Sequence, residues 1–130
     1  MPRSTRTPRK EPALDQECLV REGPGKRFLE PRLLFLVREK PSYGYELKDR
    51  ARELPLPGPA PDSAAVYRML RDLEKRGLVS SEWKPGESGP SKRVYCITPR
   101  GRRRLEEWTG ALKERVSLLN RFIRMCEGDG

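Results

Sequence analysis

The chain has 130 residues, 35% of them hydrophobic, and its 28 lysine and arginine residues outnumber 19 acidic ones to give a net charge of +9. This length suits one domain with a modest core, and the positive charge favours a polyanionic partner such as nucleic acid. Because the sequence contains no histidine, it excludes Ser-His-Asp triads and His-containing metal sites, and we expect no enzyme, cofactor or metal.

Two short zones precede the first clear helix. Residues 1–13, MPRSTRTPRKEPA, are rich in proline, arginine and threonine without periodicity, which predicts a flexible basic arm. This start lacks the apolar core of a signal peptide, and no apolar run approaches the roughly 18 residues of a membrane span, so we expect a cytoplasmic protein without a membrane partner. Residues 14–27 open the folded domain, predicted over 14–98, with LDQECLV as a short helix before the turn EGPGK.

The next segment predicts two helices in succession. In EPRLLFLVREKPS, Pro31 suits a first helical turn, the run LLFLV indicates burial, and Pro41 ends the helix. Ser42 then suits the N-cap of a helix through YGYELKDRARE, whose apolar side carries Leu47 and Ala51. The four prolines of LPLPGPAPD exclude a continuous helix and predict a stiff connector.

The segment AAVYRMLRDLEKRGLV predicts an amphipathic helix with a basic outer side. A step of about 100° per residue gathers the apolar residues on one face, at Val66, Met69, Leu70 and Leu73. The same steps place three cations opposite them, at Arg68, Arg71 and Lys75. Asp62 or Ser63 suits the N-cap, and Gly77 marks the end. Such cations often only keep a helix soluble, so this pattern does not by itself establish binding.

A strand pair follows the basic helix. In LVSSEW, Val79, Ser81 and Trp83 alternate with polar residues, and KRVYCIT beyond the turn PGESGPS is rich in β-branched and aromatic residues. Helix, helix, basic helix and hairpin is the order of a winged helix-turn-helix. In that architecture the last helix lies in the DNA major groove, and the hairpin approaches the neighbouring backbone or minor groove. We therefore expect a mainly α fold with a small β-hairpin.

Four blocks resemble, in order and spacing, the PadR family of transcriptional regulators: PSYGYEL (41–47), AVYRMLRDLEKRGLV (65–79), SEW (81–83) and SGPSKRVYCITPRGRRRL (88–105). The resemblance implies a dimeric DNA-binding regulator, usually a repressor, that a small molecule releases from DNA. It implies that Tyr43 and Tyr45 start the second helix and that Ser63–Lys75 is the recognition helix. It also implies a wing carrying Ser91, Lys92 and Arg93. Many relatives have fewer prolines in the connector than this chain has over 57–61.

The recognition helix supplies two kinds of candidate contact. Its N-terminal half reaches base edges, where Arg68 suits a bidentate contact to guanine. Arg71 and Lys75 suit phosphates, which set affinity and register without reading sequence. The full set of candidate DNA-binding residues is Tyr43, Lys48, Ser63, Ala64, Tyr67, Arg68, Arg71, Lys75, Ser91, Lys92 and Arg93.

Residues 99–127 predict one long helix that starts at Thr98 and Pro99. Its apolar residues recur at three- and four-residue steps, at Leu105, Trp108, Leu112, Val116, Leu119, Ile123 and Cys126. A helix of this length overhangs a small domain, so the seam predicts a homodimer, although Trp108 alternatively packs on its own wing or N-terminal segment. The arginines at its start suit a solvated face, namely Arg100, Arg102, Arg103 and Arg104.

Four aromatic residues are candidates for an effector pocket between the domain and the dimer helices: Trp83, Tyr95, Trp108 and Phe122. Core packing explains them equally well. The tail WTGALKERVSLLNRF is similar to that of a PadR branch responsive to poly-β-hydroxybutyrate, while phenolic acids, drugs and a thiol oxidant stay open as effectors. The cysteines are far apart and lack C-x-x-C spacing, which indicates reduced thiols at Cys18, Cys96 and Cys126.

Two other functions stay open on the sequence alone. An RNA-binding module would use the same charge, but its single-strand contacts need exposed aromatic platforms, and the aromatic residues here fall mostly at predicted core positions. A winged-helix adaptor would bind a protein partner and show no salt-sensitive affinity for DNA. Competition between duplex DNA and RNA distinguishes the first of these from a DNA-binding regulator.

Overall fold

A computed structural model describes residues 28–85 and 92–128. Its elements, in chain order, are α1 (Leu29–Glu39), β1 (Ser42–Tyr43), α2 (Gly44–Ala51), α3 (Ser63–Lys75), β2 (Val79–Lys84), β3 (Lys92–Ile97) and α4 (Pro99–Cys126). This order confirms the mainly α fold with a small sheet. The predicted basic arm, the helix within 14–27 and Ser91 lie outside the described residues. No helix in the two described ranges has the length and apolar character needed to cross a membrane.

The main core lies where α1, α2 and α3 meet the sheet. The predicted apolar face of α3 is confirmed, because Val66, Leu70 and Leu73 are fully buried in this core. They pack with Leu33 and Leu34 of α1, which are also fully buried, as the apolar run of that helix predicts. The outer side of α3 is therefore left to face solvent.

The sheet has one more strand than the expected hairpin. Its order is β1-β3-β2, all antiparallel, with Ser42 opposite Tyr95 in the β1–β3 pair. Ser42 is therefore not a helix cap, and that prediction is wrong. Its hydroxyl instead donates to the Lys40 carbonyl at 3.0 Å and accepts from Arg50 Nη1 at 2.7 Å. These two contacts occupy the hydroxyl, and the chain stays extended through Tyr43 before α2 begins at Gly44.

The start and end of α3 agree with the sequence. The Asp62 carboxylate accepts a hydrogen bond from the Ala65 backbone N–H at 2.8 Å, which caps the helix. Gly77 follows the helix with φ of +76°, a left-handed conformation that costs other residues energy. The proline-rich connector contains no helix. Because the cap is a local contact, the connector does not displace the start of α3.

The first half of α4 packs on the domain. Thr98 accepts from the Gly101 N–H at 3.0 Å, and Gly101 lies so close to the Leu78 carbonyl that a Cβ there would overlap it. Leu105 and Trp108 are buried in their own chain, and Trp108 packs edge-on against Phe28 with ring centroids 6.3 Å apart. Both side chains are thus covered within their own chain, which for Trp108 is the alternative that the sequence left open.

A buried ion cluster ties α4 to two other elements. The Glu30 carboxylate in α1 accepts from Arg104 Nε at 2.7 Å, from Trp108 Nε1 at 2.7 Å and from Arg76 Nη2 at 2.8 Å. Arg104 is buried, so the prediction that it lies on a solvated face is wrong. Burial raises the pKa of Glu30, but the hydrogen bond from Arg104, the positive charge of Arg76 and the bond from Trp108 together lower that pKa below 4.5.

Candidate nucleic-acid interface

The outer side of α3 presents small and cationic side chains to solvent. All of the candidate contact residues on this helix are exposed, namely Ser63, Ala64, Tyr67, Arg68, Arg71 and Lys75. Ser63 and Ala64 occupy the first turn, where short side chains allow a close approach to a ligand. The first turn of the helix is therefore narrow, and the turns that follow carry exposed positive charges.

Acidic side chains of α3 are directed to neighbouring residues. The Asp72 carboxylate pairs with Arg76 Nη1 at 2.6 Å. The Glu74 carboxylate accepts from the Ser81 hydroxyl at 2.7 Å and lies 3.7 Å from Arg93 Nη1. Both carboxylates thus have cationic or hydroxyl partners of their own, and they lie on the same surface as the three cations of α3.

A groove runs between α3 and the sheet. The volume of this groove is about 380 Å³. We call it the aromatic groove, and its lining includes Tyr43, Tyr45, Tyr67, Arg71, Trp83, Lys92 and Arg93. The Tyr43 and Tyr45 rings are stacked, with centroids 5.7 Å apart and planes at 6°. The Tyr67 ring lies against Gly44, which has no side chain to obstruct it. Aromatic rings from four elements therefore share one surface with three cations.

Cations lie over the rings of the aromatic groove. Lys92 Nζ is 5.8 Å from the Tyr43 ring centroid and 5.0 Å from that of Tyr45. The Arg93 guanidinium carbon lies 4.7 Å from the Trp83 ring centroid. These distances are within the range of cation–π attraction.

The structure brings most of the candidate DNA-binding residues to this side of the domain. Arg71 and Tyr67 line both the outer side of α3 and the aromatic groove, and Lys92 and Arg93 lie across the groove from them. Lys48 is half-buried on α2. Two exposed groove residues, Tyr45 and Trp83, were not among the candidates for DNA binding. The resemblance placed Tyr45 at the start of α2, and Trp83 was a candidate for the effector pocket.

The sequence from 33 to 107 matches the model of the transcriptional regulator PadR-like family, which is more than half of the chain. The chain belongs to the PadR-like family. No curated protein matches it by sequence. The family and its fold are those of transcriptional regulators, which agrees with the resemblance of the four sequence blocks.

Solved structures similar to this PadR-like protein share its fold. A conserved protein of unknown function, described as a potential transcriptional factor, is 38% identical with a TM-score of 0.64, over 78% of this chain and 91% of that chain. A PadR family regulator from Eggerthella lenta is 28% identical with a TM-score of 0.65, over 74% and 81% of the two chains. A PadR family regulator from Clostridium difficile, 22% identical with a TM-score of 0.65 over 74% and 98%, supports the fold alone.

The four aromatic residues of the expected effector pocket do not meet in the described part of this PadR-like chain. Tyr95 belongs to the main core, and Trp108 packs with Phe28 and Ala111 in a second cluster. Trp83 on β2 and Phe122 on the far half of α4 are each 61% exposed. Trp83 and Tyr95 both line the aromatic groove, whereas Trp108 and Phe122 do not. The described residues of the single chain therefore form no pocket lined by all four.

Proposed function

We propose that the protein is a homodimeric, sequence-specific repressor that binds duplex DNA through α3 and the wing and is released by a small-molecule effector. The DNA-binding part rests on the exposed outer side of α3, which has small residues in its first turn and cations in the turns after it. A helix of this kind fits the major groove, whose width admits one α-helix.

The contacts divide by their position on α3. Ser63, Ala64, Tyr67 and Arg68 lie in the half of the helix that reaches base edges in helix-turn-helix proteins. Arg68 suits a bidentate pair with O6 and N7 of guanine. Arg71 and Lys75 lie further along the helix and suit phosphates of the flanking strand.

Residues outside α3 extend the proposed contact. Lys48 of α2 and Lys92 and Arg93 of β3 are cations that would hold backbone phosphates and set the register of α3. Tyr43, half-buried at the start of α2, lies beneath Lys92. Ser91 stays in the proposal from the sequence alone.

The dimer is supported by the far half of α4. This helix has 28 residues and is therefore about 42 Å long. Its buried residues end at Ala111, so the part beyond Ala111 extends past the domain. Val116, Leu119 and Ile123 are at least half exposed there, at the steps that an apolar seam needs. Leu112, partly buried beside Trp108, begins this seam.

The effector part of the proposal rests on the family resemblance. Of the expected pocket residues, Phe122 is the one on the part of α4 where subunits would meet. The poly-β-hydroxybutyrate-responsive branch stays a prediction. An effector would act by changing the separation of the two α3 helices, which must match successive turns of the DNA groove.

Selection of bound fragments from the source genome tests the proposed function, because it yields an operator and its neighbouring genes together. Arg68→Ala should then cost about 1–3 kcal/mol of binding free energy and relax preference at one base position. Lys75→Ala should weaken all sequences alike and reduce the salt dependence. If Arg68→Ala leaves base preference unchanged, α3 does not read the operator as proposed.

A further inference from the structure

We propose that the aromatic groove binds the sugar–phosphate backbone of one strand of the operator duplex, with Trp83 and Tyr45 contacting deoxyribose and Lys92 and Arg93 contacting phosphates. This inference rests on the proposed DNA-binding function and adds two aromatic contacts, Trp83 and Tyr45, to it. The site lies beside α3, which is the element proposed to read the bases.

The chemistry of the aromatic groove matches a backbone strand. A strand carries anionic phosphates and largely apolar sugars, and the lining of the groove combines cations with aromatic rings. Trp83 is 61% exposed and Tyr45 is 48% exposed, so both rings have apolar surface left for a ligand. A polyanion is also the ligand class that a net charge of +9 favours.

The cations of the groove are already positioned before a ligand arrives. The Tyr43–Tyr45 stack holds Lys92 Nζ, and the Trp83 ring holds the Arg93 guanidinium. Glu74 lies 3.7 Å from Arg93 on the side of α3, which keeps this guanidinium beside the recognition helix. Side chains that are held in this way lose less conformational entropy on binding.

The exposed rings remove one sequence-based objection to RNA binding, because aromatic residues do lie on the surface. The arrangement nevertheless favours duplex backbone over stacked bases. Arg93 covers a face of Trp83, and Tyr43 and Tyr45 stack on one another. A base would have to displace these partners to stack on those faces, whereas a phosphate can bind the covering cations directly.

The groove also continues the surface of α3. Tyr67 and Arg71 belong to both surfaces, so a strand that flanks α3 in the major groove would pass directly into the aromatic groove.

Titrations of the operator and of an unrelated duplex of equal length, over a series of salt concentrations, test the groove. Trp83→Ala should weaken both duplexes about tenfold, because an apolar contact is lost, and leave the salt dependence unchanged. Lys92→Ala should weaken both and reduce the slope of log K against log salt by about 0.9, the value of one phosphate. Ser80→Ala, exposed on the other face of β2, is the matched control and should bind like wild type.

Tryptophan fluorescence gives a readout of contact that does not depend on affinity. The sequence has two tryptophans, and Trp83 is exposed whereas Trp108 is 1% exposed, so acrylamide should quench Trp83 selectively. Saturating duplex should protect this emission, and Trp83→Phe, which keeps an aromatic ring, should remove the protected component.

The outcomes separate the two proposals. Absence of salt-sensitive duplex binding by wild type would overturn the proposed function and the groove together. Normal duplex binding, with Trp83 equally quenchable in the complex and Trp83→Ala binding like wild type, would overturn the groove alone. Tighter binding of single-stranded DNA or RNA of equal length, with protection of Trp83, would replace backbone contact by base stacking.

Discussion

Gly44 determines where the Tyr67 ring can lie. A Cβ at this position would come within 2.5 Å of Tyr67 Cε1 and 3.2 Å of its hydroxyl oxygen. Tyr67 is 37% exposed, so its ring can rotate toward solvent without opening the core. A single methyl group on α2 would therefore move a side chain of α3 while leaving the fold in place.

Gly44→Ala should thus lower operator affinity more than stability. We expect the displaced Tyr67 ring to cost about 1 kcal/mol of binding free energy, while the free energy of unfolding changes by less than about 1 kcal/mol, since alanine favours the helix. Urea unfolding and operator titration measure the two quantities. Gly110→Ala, where nothing lies within 4 Å of the added Cβ, is the control and should bind DNA normally. Normal binding by Gly44→Ala would show that Tyr67 makes no contact in its present position.

Among the elements, α3 was the most predictable, because its information is local. Its thirteen residues and the Asp62 cap directly before them contain the apolar face, the basic side and the start signal, and a period of 3.6 residues orders them. Ser42 shows the opposite case: its capping chemistry is common, but a strand 53 positions later (95 − 42) pairs with it. Glu30 meets Trp108 across 78 positions, and no pattern in the sequence indicates that contact.

Glu30 links three helices through one carboxylate. It lies in α1, Arg104 and Trp108 lie in α4, and Arg76 is the C-cap residue directly after α3. Because its folded-state pKa lies below the ordinary 4.5, the ionised carboxylate stabilises the fold above that pH. This stabilisation is lost as the pH falls through the folded-state pKa.

Glu30→Gln should destabilise the protein by about 3–5 kcal/mol at neutral pH, since Arg104 would lose its buried charged partner. Below about pH 4.5 the free energy of unfolding should also decrease less in the variant than in wild type. Urea unfolding across pH 3–7 measures both effects. Glu107→Gln removes a more exposed carboxylate, 3.3 Å from Arg104, and should cost less than about 1 kcal/mol. If both variants lost the same free energy of unfolding, the buried Glu30 cluster would stabilise the protein no more than the exposed Glu107 pair does.

At the scale of the whole molecule, α4 combines two parts with different roles. Its first half is part of the domain, because Leu105 and Trp108 are buried there. Its second half carries the exposed residues Val116, Leu119 and Ile123. The sequence shows one continuous seam, since period alone cannot distinguish apolar residues covered by their own domain from those left for a second subunit.

This division predicts that Leu119→Glu separates the subunits of the proposed dimer without unfolding them. A charge in the apolar contact costs several kcal/mol, and two-fold symmetry imposes it twice. A monomer would lose the second half-site and bind the operator with nearly nonspecific affinity. Sedimentation measures the oligomeric state, and operator titration measures the affinity. Unchanged near-ultraviolet circular dichroism from the buried Trp108 would show that the domain stays folded. Lys113→Glu, exposed and off the seam, should stay dimeric. A Leu119→Glu dimer with normal operator affinity would show that α4 is not the subunit contact.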